Sequence, residues 1–269
     1  MDGDYVKRYF KLYIVYLKRA INSRLEYKKD AFIGIFSFVV SNIMHLLSLM
    51  FIVRSIPSLN GWSTYELGFL YGFTMLPKAF DHLFTDSLWY VAFWYVRTGE
   101  MDRFLIRPVN VLFQVIAEVF QPEAFGELIL GISLLVTCGL RIDVNWSIGG
   151  VLVLIVATLF GAAIITAIKL ITCSVAFWTK RSGHLTQITY NVSDFAKYPI
   201  DIYHPAIRFV MMYVVPFGLI ITVPVTILLK GGYNPFSVSL TIISLAVVLN
   251  CIGYFIWNMG LKRYESAGS

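Results

Sequence analysis

The chain has 269 residues, of which 58% are hydrophobic, 16% aromatic and 14% charged, whereas ordinary soluble domains carry about 45–50% apolar and 25% charged residues. A soluble globule of this size cannot hide so much apolar surface, so lipid is the solvent for most of the chain. Low charge and many aromatics exclude disorder, and the net charge of +6 reads as a topology signal, with no nucleic acid as partner.

Residues 1–30 carry eight lysines and arginines interleaved with aromatics and have no cleavable small-residue site after an apolar core, so they do not read as a signal peptide. On a helical projection Phe10, Ile14, Leu17, Ile21 and Leu25 form one stripe, beside a polar wedge of Lys7, Lys11, Lys18, Arg19 and Asn22. That pattern predicts a helix lying in the membrane interface, with packing on protein as the alternative; the two are compatible.

The spans follow. Residues 31–53 give a predominantly apolar stretch of 23 residues, close to the roughly 20 that cross a bilayer. Residues 65–84 form the second span, with Gly68 and Gly72 spaced for close helix contact. The third, 124–140, is entered by a more polar helix with Gln114, Glu118, Gln121 and Glu123. The fourth is 148–177, and the last is 238–259. Between them 207–229 is apolar but broken by Pro216 and Pro224. The stretch 179–206 has two readings. It is a cytoplasmic connection, or it is the first leg of span five with 207–229 entering and leaving on one side. Either way the expected fold is an all-α integral membrane protein: helix 1–30, then a single six-span domain over 31–269.

With the N-terminus inside, the inner segments hold fifteen basic residues and the outer loops three (Arg54, Arg141, Lys230). That asymmetry puts both termini in the cytoplasm, and all six tryptophans fall near predicted span ends. The three cysteines lie far apart in apolar runs and read as buried, inert thiols.

No phosphate-binding loop, dinucleotide fingerprint, zinc-protease or nucleophile-elbow motif occurs, and the four histidines are scattered, so the chain is expected to be non-catalytic, with no metal and no cofactor of its own. Membrane-proximal charges are the next candidates. Lys78 and Asp81 lie one helical turn apart and Lys169 is isolated in span four; snorkelling at span ends is the favoured reading for all three. Glu123 and Glu127 form a like-charge i,i+4 pair, equally suited to a water-filled pathway or a structural position.

The most specific segment is the loop 98–109. Gly99 ends one helix, Glu100 and Asp102 place negative charge on the first turn of the next, and Pro108 stops it. The predicted short cytoplasmic helix presents Met101, Phe104 and Leu105 between the charges of Arg103 and Arg107, as a knob for a partner's pocket or as a helix lying on lipid.

The run Gly99-Glu-Met-Asp-Arg-Phe-Leu-Ile-Arg-Pro108 resembles the G-E-L-D-x-x-L-x-R-P stretch of permease subunits of type-2 ABC transporters, in particular a bacterial, multidrug-type subgroup. Tyr198-Pro-Ile-Asp-Ile-Tyr203, Val215-Pro-Phe217, Val223-Pro224 and the tail 260–268 are similar to the same subgroup. The resemblance implies an exporter permease in the cell membrane, forming half of a translocation pathway. It implies two cytoplasmic ATPase subunits, which carry ATP and Mg, and a second permease, a different chain or otherwise another copy. Loop 98–109 would then be the coupling helix, the N-terminal helix the connecting helix, and 199–224 the end of span five and a re-entrant segment. Glu123, Glu127, Pro199, Pro216 and Pro224 are the candidate pathway or gating residues. An ion-coupled secondary transporter using Glu123, Glu127 or Lys169 is the alternative, followed by a lipid-modifying enzyme; ion-driven transport without nucleotide would mark the first of these.

Overall fold

In the computed structural model the described residues are 2–26, 60–266 and, between 32 and 51, residues 32–34, 36–37, 39–41, 43–44, 47 and 51. The expected first span, 31–53, is thus described only in part, and Lys28, Lys29, Arg54 and residues 267–269 of the tail lie outside the described residues. The described residues are overwhelmingly helical and contain no β-strand.

Helix α1 (Asp2–Glu26) is followed by α2 (Thr64–Thr85), whose start is fixed by a capping box between Ser63 and Glu66. The same helical course runs on through α3 (Ser87–Tyr90), a π-helical turn at Val91–Tyr95, and α4 (Val96–Thr98). Gly99, at φ 78°, stops it in the left-handed conformation that favours glycine. Two short helices follow, α5 (Asp102–Leu105) and α6 (Val111–Glu118), then α7 (Ala124–Gly139). The long α8 (Ile148–Ser174) continues into α9 (Ala176–Thr179). After α10 (Gly183–Val192) come single 3₁₀ turns, then α11 (Pro205–Phe209), α12 (Val223–Leu229) and α13 (Pro235–Leu261).

Among the described residues two helical stretches, Ile148–Thr179 and Pro235–Leu261, are long and apolar enough to cross a membrane. A third arises if Pro205–Val214 and Gly218–Leu229, bent by 82° to each other, count as one span. The break falls at residues 215–217, where Pro216 interrupts the ladder; Pro224 lies inside the second leg, just after the π-helical turn Gly218–Thr222. Helix α10 packs along α8, and the 3₁₀ turn Ser193–Lys197 packs against α2.

Helix α8 is the hub, packing along α13 and α2. One apolar core joins α2, α8, the bent pair and the start of α13. A second gathers the α3–α4 course, α5, α6 and the far ends of α8 and α13. Gly68 and Gly72 do mark a close contact, with α7: a Cβ on Gly72 would stand 2.8 Å from Leu134 Cβ and 2.9 Å from the Gly131 carbonyl oxygen. Gly72→Val should therefore force the two backbones apart and destabilise the chain by about 1–3 kcal/mol. Thermal unfolding in detergent checks this, and an unchanged midpoint would deny the contact.

Trp94, Trp146 and Trp178 are exposed, as an interfacial belt requires, but Trp62 and Trp257 are buried in the two cores, so the expectation fails for those two. The thiols also divide: Cys173 is buried, Cys138 half-buried and Cys251 exposed on α13.

Candidate functional site

Two polar constellations stand out. The first is the loop around α5. Gly99 ends the preceding helix as expected, but the helix in the loop is shorter than 98–109, only Asp102–Leu105, and it is oriented differently from the expected knob. Met101 and Phe104 are 0% and 1% exposed, packed with Leu88, Val96, Val115, Phe177 and Trp257. Of the three apolar side chains expected to project, only Leu105 does so, joined by Ile106, which is 83% exposed. The reason lies in the helix itself. Residues 101 and 104 share one face at i,i+3, and the second core needs that face.

Polar contacts fix the loop. Arg103 pairs with Glu118 at 2.9 Å and lies over the rings of Phe104 and Tyr95, at 4.7 and 5.1 Å. The buried Gln114 amide donates to the Phe104 and Val109 carbonyls at 3.0 and 2.8 Å. The tail folds back on the loop: Ser266 Oγ donates to Asp102 Oδ2, and Tyr264 packs on Phe177. Burial, aided by the nearby Asp102 carboxylate, pushes the Tyr264 phenol up to about 12.

Helix α1 reaches the same loop. Tyr9 OH accepts from the Asn110 backbone at 3.3 Å, Tyr16 OH from Arg107 at 3.2 Å, and both rings pack on Phe113 edge-on. The predicted stripe is therefore not the protein-facing one. Tyr9, Tyr13, Tyr16 and Ala20 face the bundle, whereas Phe10 and Ile21 are exposed and Ile14 and Leu17 half-buried. Lys7, Lys11 and Lys18 are exposed on the remaining side.

The second constellation lies deep between α2, α7, α8 and α10. Lys169 Nζ stands 2.7 Å from Asp81 Oδ2 and 3.4 Å from Asp86 Oδ1, and both Lys169 and Asp81 are buried. Thr85 and Thr166 donate to the other Asp81 oxygen at 2.7 and 2.9 Å. One turn earlier Lys78 meets Asp194 at 2.9 Å, an oxygen shared with Lys197 at 2.9 Å. His82 uses both ring nitrogens, Nδ1 with Glu127 at 2.9 Å and Nε2 with the Tyr190 hydroxyl. Snorkelling thus fails as the account of Lys169 and Asp81, which pair with each other in the interior, while Lys78 is itself buried but meets the half-exposed Asp194.

The Glu123–Glu127 pair is also divided. Glu127 faces His82, while the Glu123 stem packs against Gly34. Glu127, His82, Lys78, Tyr190, Asp194 and Ser41 line a cleft of about 190 Å³. Asp81, His82 and Asp86 offer ligand atoms within 4.8 Å of one another. The Lys169 ammonium already bridges the two carboxylates and both imidazole nitrogens are engaged, so this trio is an ion-paired network and a poor metal site.

Sequence reasoning missed this network because its partners lie far apart in the chain. The available signal was the helical spacing of Lys78, Asp81, His82 and Asp86 on the one span rich in charge. Of the candidate pathway residues, the structure brings Glu127 to the cleft and Pro216 to the bend. Pro199 lies before the 3₁₀ turn Ile200–Ile202, and Pro224 lies in α12.

The ABC-2 family transporter protein profile matches residues 39–268. A search against curated proteins returns no match. The profile covers α2 to α13 and most of the chain, so the chain belongs to the ABC-2 transporter family and is a membrane permease of the ABC transporter type.

Proposed function

We propose that the chain is the permease subunit of an ATP-driven exporter in a bacterial cell membrane, non-catalytic on its own. It crosses the membrane six times with both termini in the cytoplasm, and pairs with a second permease, a different chain or otherwise another copy. Two separate ATPase subunits hold ATP and Mg and dock on loop 98–109. Helix α1 lies at the inner leaflet, its tyrosine face on the bundle and its Phe10–Ile21 stripe in lipid. The carrying observation is the loop's construction: Met101 and Phe104 are anchored in a core shared with the ends of α8 and α13, while Leu105 and Ile106 face outward. A push on the exposed pair is thereby delivered to several spans at once, which is what mechanical coupling requires. The cleft beside Glu127 and the bend at Pro216 are the parts placed to line or gate the pathway.

The test is recovery of the tagged chain from its native membranes in mild detergent, with mass spectrometry of what stays bound. An ATP-binding-cassette ATPase should be recovered. Leu105→Ser together with Ile106→Ser should weaken its association about 30-fold, equivalent to roughly 2 kcal/mol. A chain that purifies alone and transports without nucleotide would overturn the proposal. The buried His82–Glu127–Tyr190 and Lys169–Asp81 pairs favour one second reading, ion-coupled transport. That reading predicts flux that follows an imposed proton or sodium gradient.

A further inference from the structure

Between α1 and loop 98–109 lies a cleft of about 290 Å³. Arg19, Arg103 and Arg107 enter it from two sides, with Tyr16, Tyr90 and Phe120 among its walls. Its charge is unbalanced. Glu118 is the one carboxylate in the lining and is taken by Arg103 at 2.9 Å, which also approaches Glu100 at 3.7 Å. Arg107 meets the Tyr16 hydroxyl, and among the described residues neither Arg107 nor Arg19 is paired with a carboxylate. Guanidinium groups present a planar fork of donors that matches phosphate oxygens two at a time, and they keep their charge at any physiological pH. Aromatic walls add apolar surface beside the charge, a combination that a phosphate attached to a hydrocarbon body satisfies and a bare ion does not.

We propose that this cleft binds a phosphate group, supplied by an anionic phospholipid headgroup of the membrane leaflet in which α1 lies. The assignment of α1 to that leaflet rests on the permease reading above. Arg19 and Arg107 grip the phosphate, Arg103 is held in place by Glu118, and Tyr90 and Phe120 offer apolar surface to the hydrocarbon body. A bound lipid would bridge the N-terminal helix and the docking loop, making the loop's position sensitive to leaflet composition.

The experiment uses the tagged chain with the proteins it retains, in nanodiscs of mixed phosphatidylglycerol and phosphatidylcholine, with native mass spectrometry of the lipid kept after release. Phosphatidylglycerol should be retained about tenfold over phosphatidylcholine, and Arg19→Gln with Arg107→Gln should remove that preference. Inorganic phosphate is then added. Retention that withstands it assigns the site to the lipid; displacement keeps the phosphate site but assigns it to a soluble phosphate. Equal retention of both lipids by the parent chain, or an unaltered preference in the double variant, overturns the proposal. ATPase recovery is read from the same sample, so its loss counts against the permease reading and loss of lipid preference against the cleft. Arg19→Gln alone, outside loop 98–109, separates the two further.

Discussion

Lys169→Met should destabilise the protein by about 3–5 kcal/mol, among the largest effects open to a single substitution here. The lysine is buried with its charge against Asp81 and Asp86, at 2.7 and 3.4 Å. Removing it leaves two carboxylates facing each other, Asp81 with only the hydroxyls of Thr85 and Thr166 for support. Asp81→Asn added to Lys169→Met removes the orphaned charge and should recover part of the loss. The measurement is a double-mutant cycle on thermal unfolding in detergent, read from near-ultraviolet dichroism. Additive effects of the two substitutions, or a loss below about 1 kcal/mol for the single variant, would mean the lysine reaches water after all.

Phe104→Ala should destabilise the chain by about 3–5 kcal/mol, because it empties a fully enclosed ring site lined by Tyr95, Val115 and Phe177. It also removes one ring beneath Arg103. Ile106→Ala, on the exposed side of the same helix, should change stability by no more than about 0.5 kcal/mol. The two variants therefore part company: one lowers the unfolding midpoint, the other leaves it and affects only the retained ATPase. Equal unfolding midpoints for both would show that Phe104 is not an anchor.

The elements were legible because their causes are local. Apolar length marked α8 and α13, Gly99 marked the stop before α5, and the Gly68–Gly72 spacing marked the contact with α7. Pro216 marked an interruption, and the bend occurs there. Pairings across the chain were not legible. Lys169 and Asp81 stand 88 positions apart and meet only because α2 lies along α8, information that no periodicity carries. The same holds for α5, where apolar residues were correctly put on a helix but assigned to the wrong neighbour. Phe104 was expected to seek a partner's pocket and is absorbed by its own chain; Phe10 and Ile21 were expected on the apolar face and remain there, while tyrosines of the adjacent face contact the protein.

The π-helical turn at Val91–Tyr95 carries one residue more than an α-helical turn would accommodate. It lies between the span and the docking loop, so it sets the compass bearing at which that loop emerges. Five π-helical residues turn through about the angle of four α-helical ones, so deleting one would restore unbroken α-helix at much the same bearing, whereas inserting one would swing everything beyond it by about 100°, taking Tyr95 away from Glu118 and Met101 out of its socket. Chain length and side-chain identity are both constrained here, because Val91, Ala92 and Tyr95 are buried in the second core. A library of variants should tolerate one deletion better than one insertion, and substitution of the exposed Trp94 better than of the three buried positions.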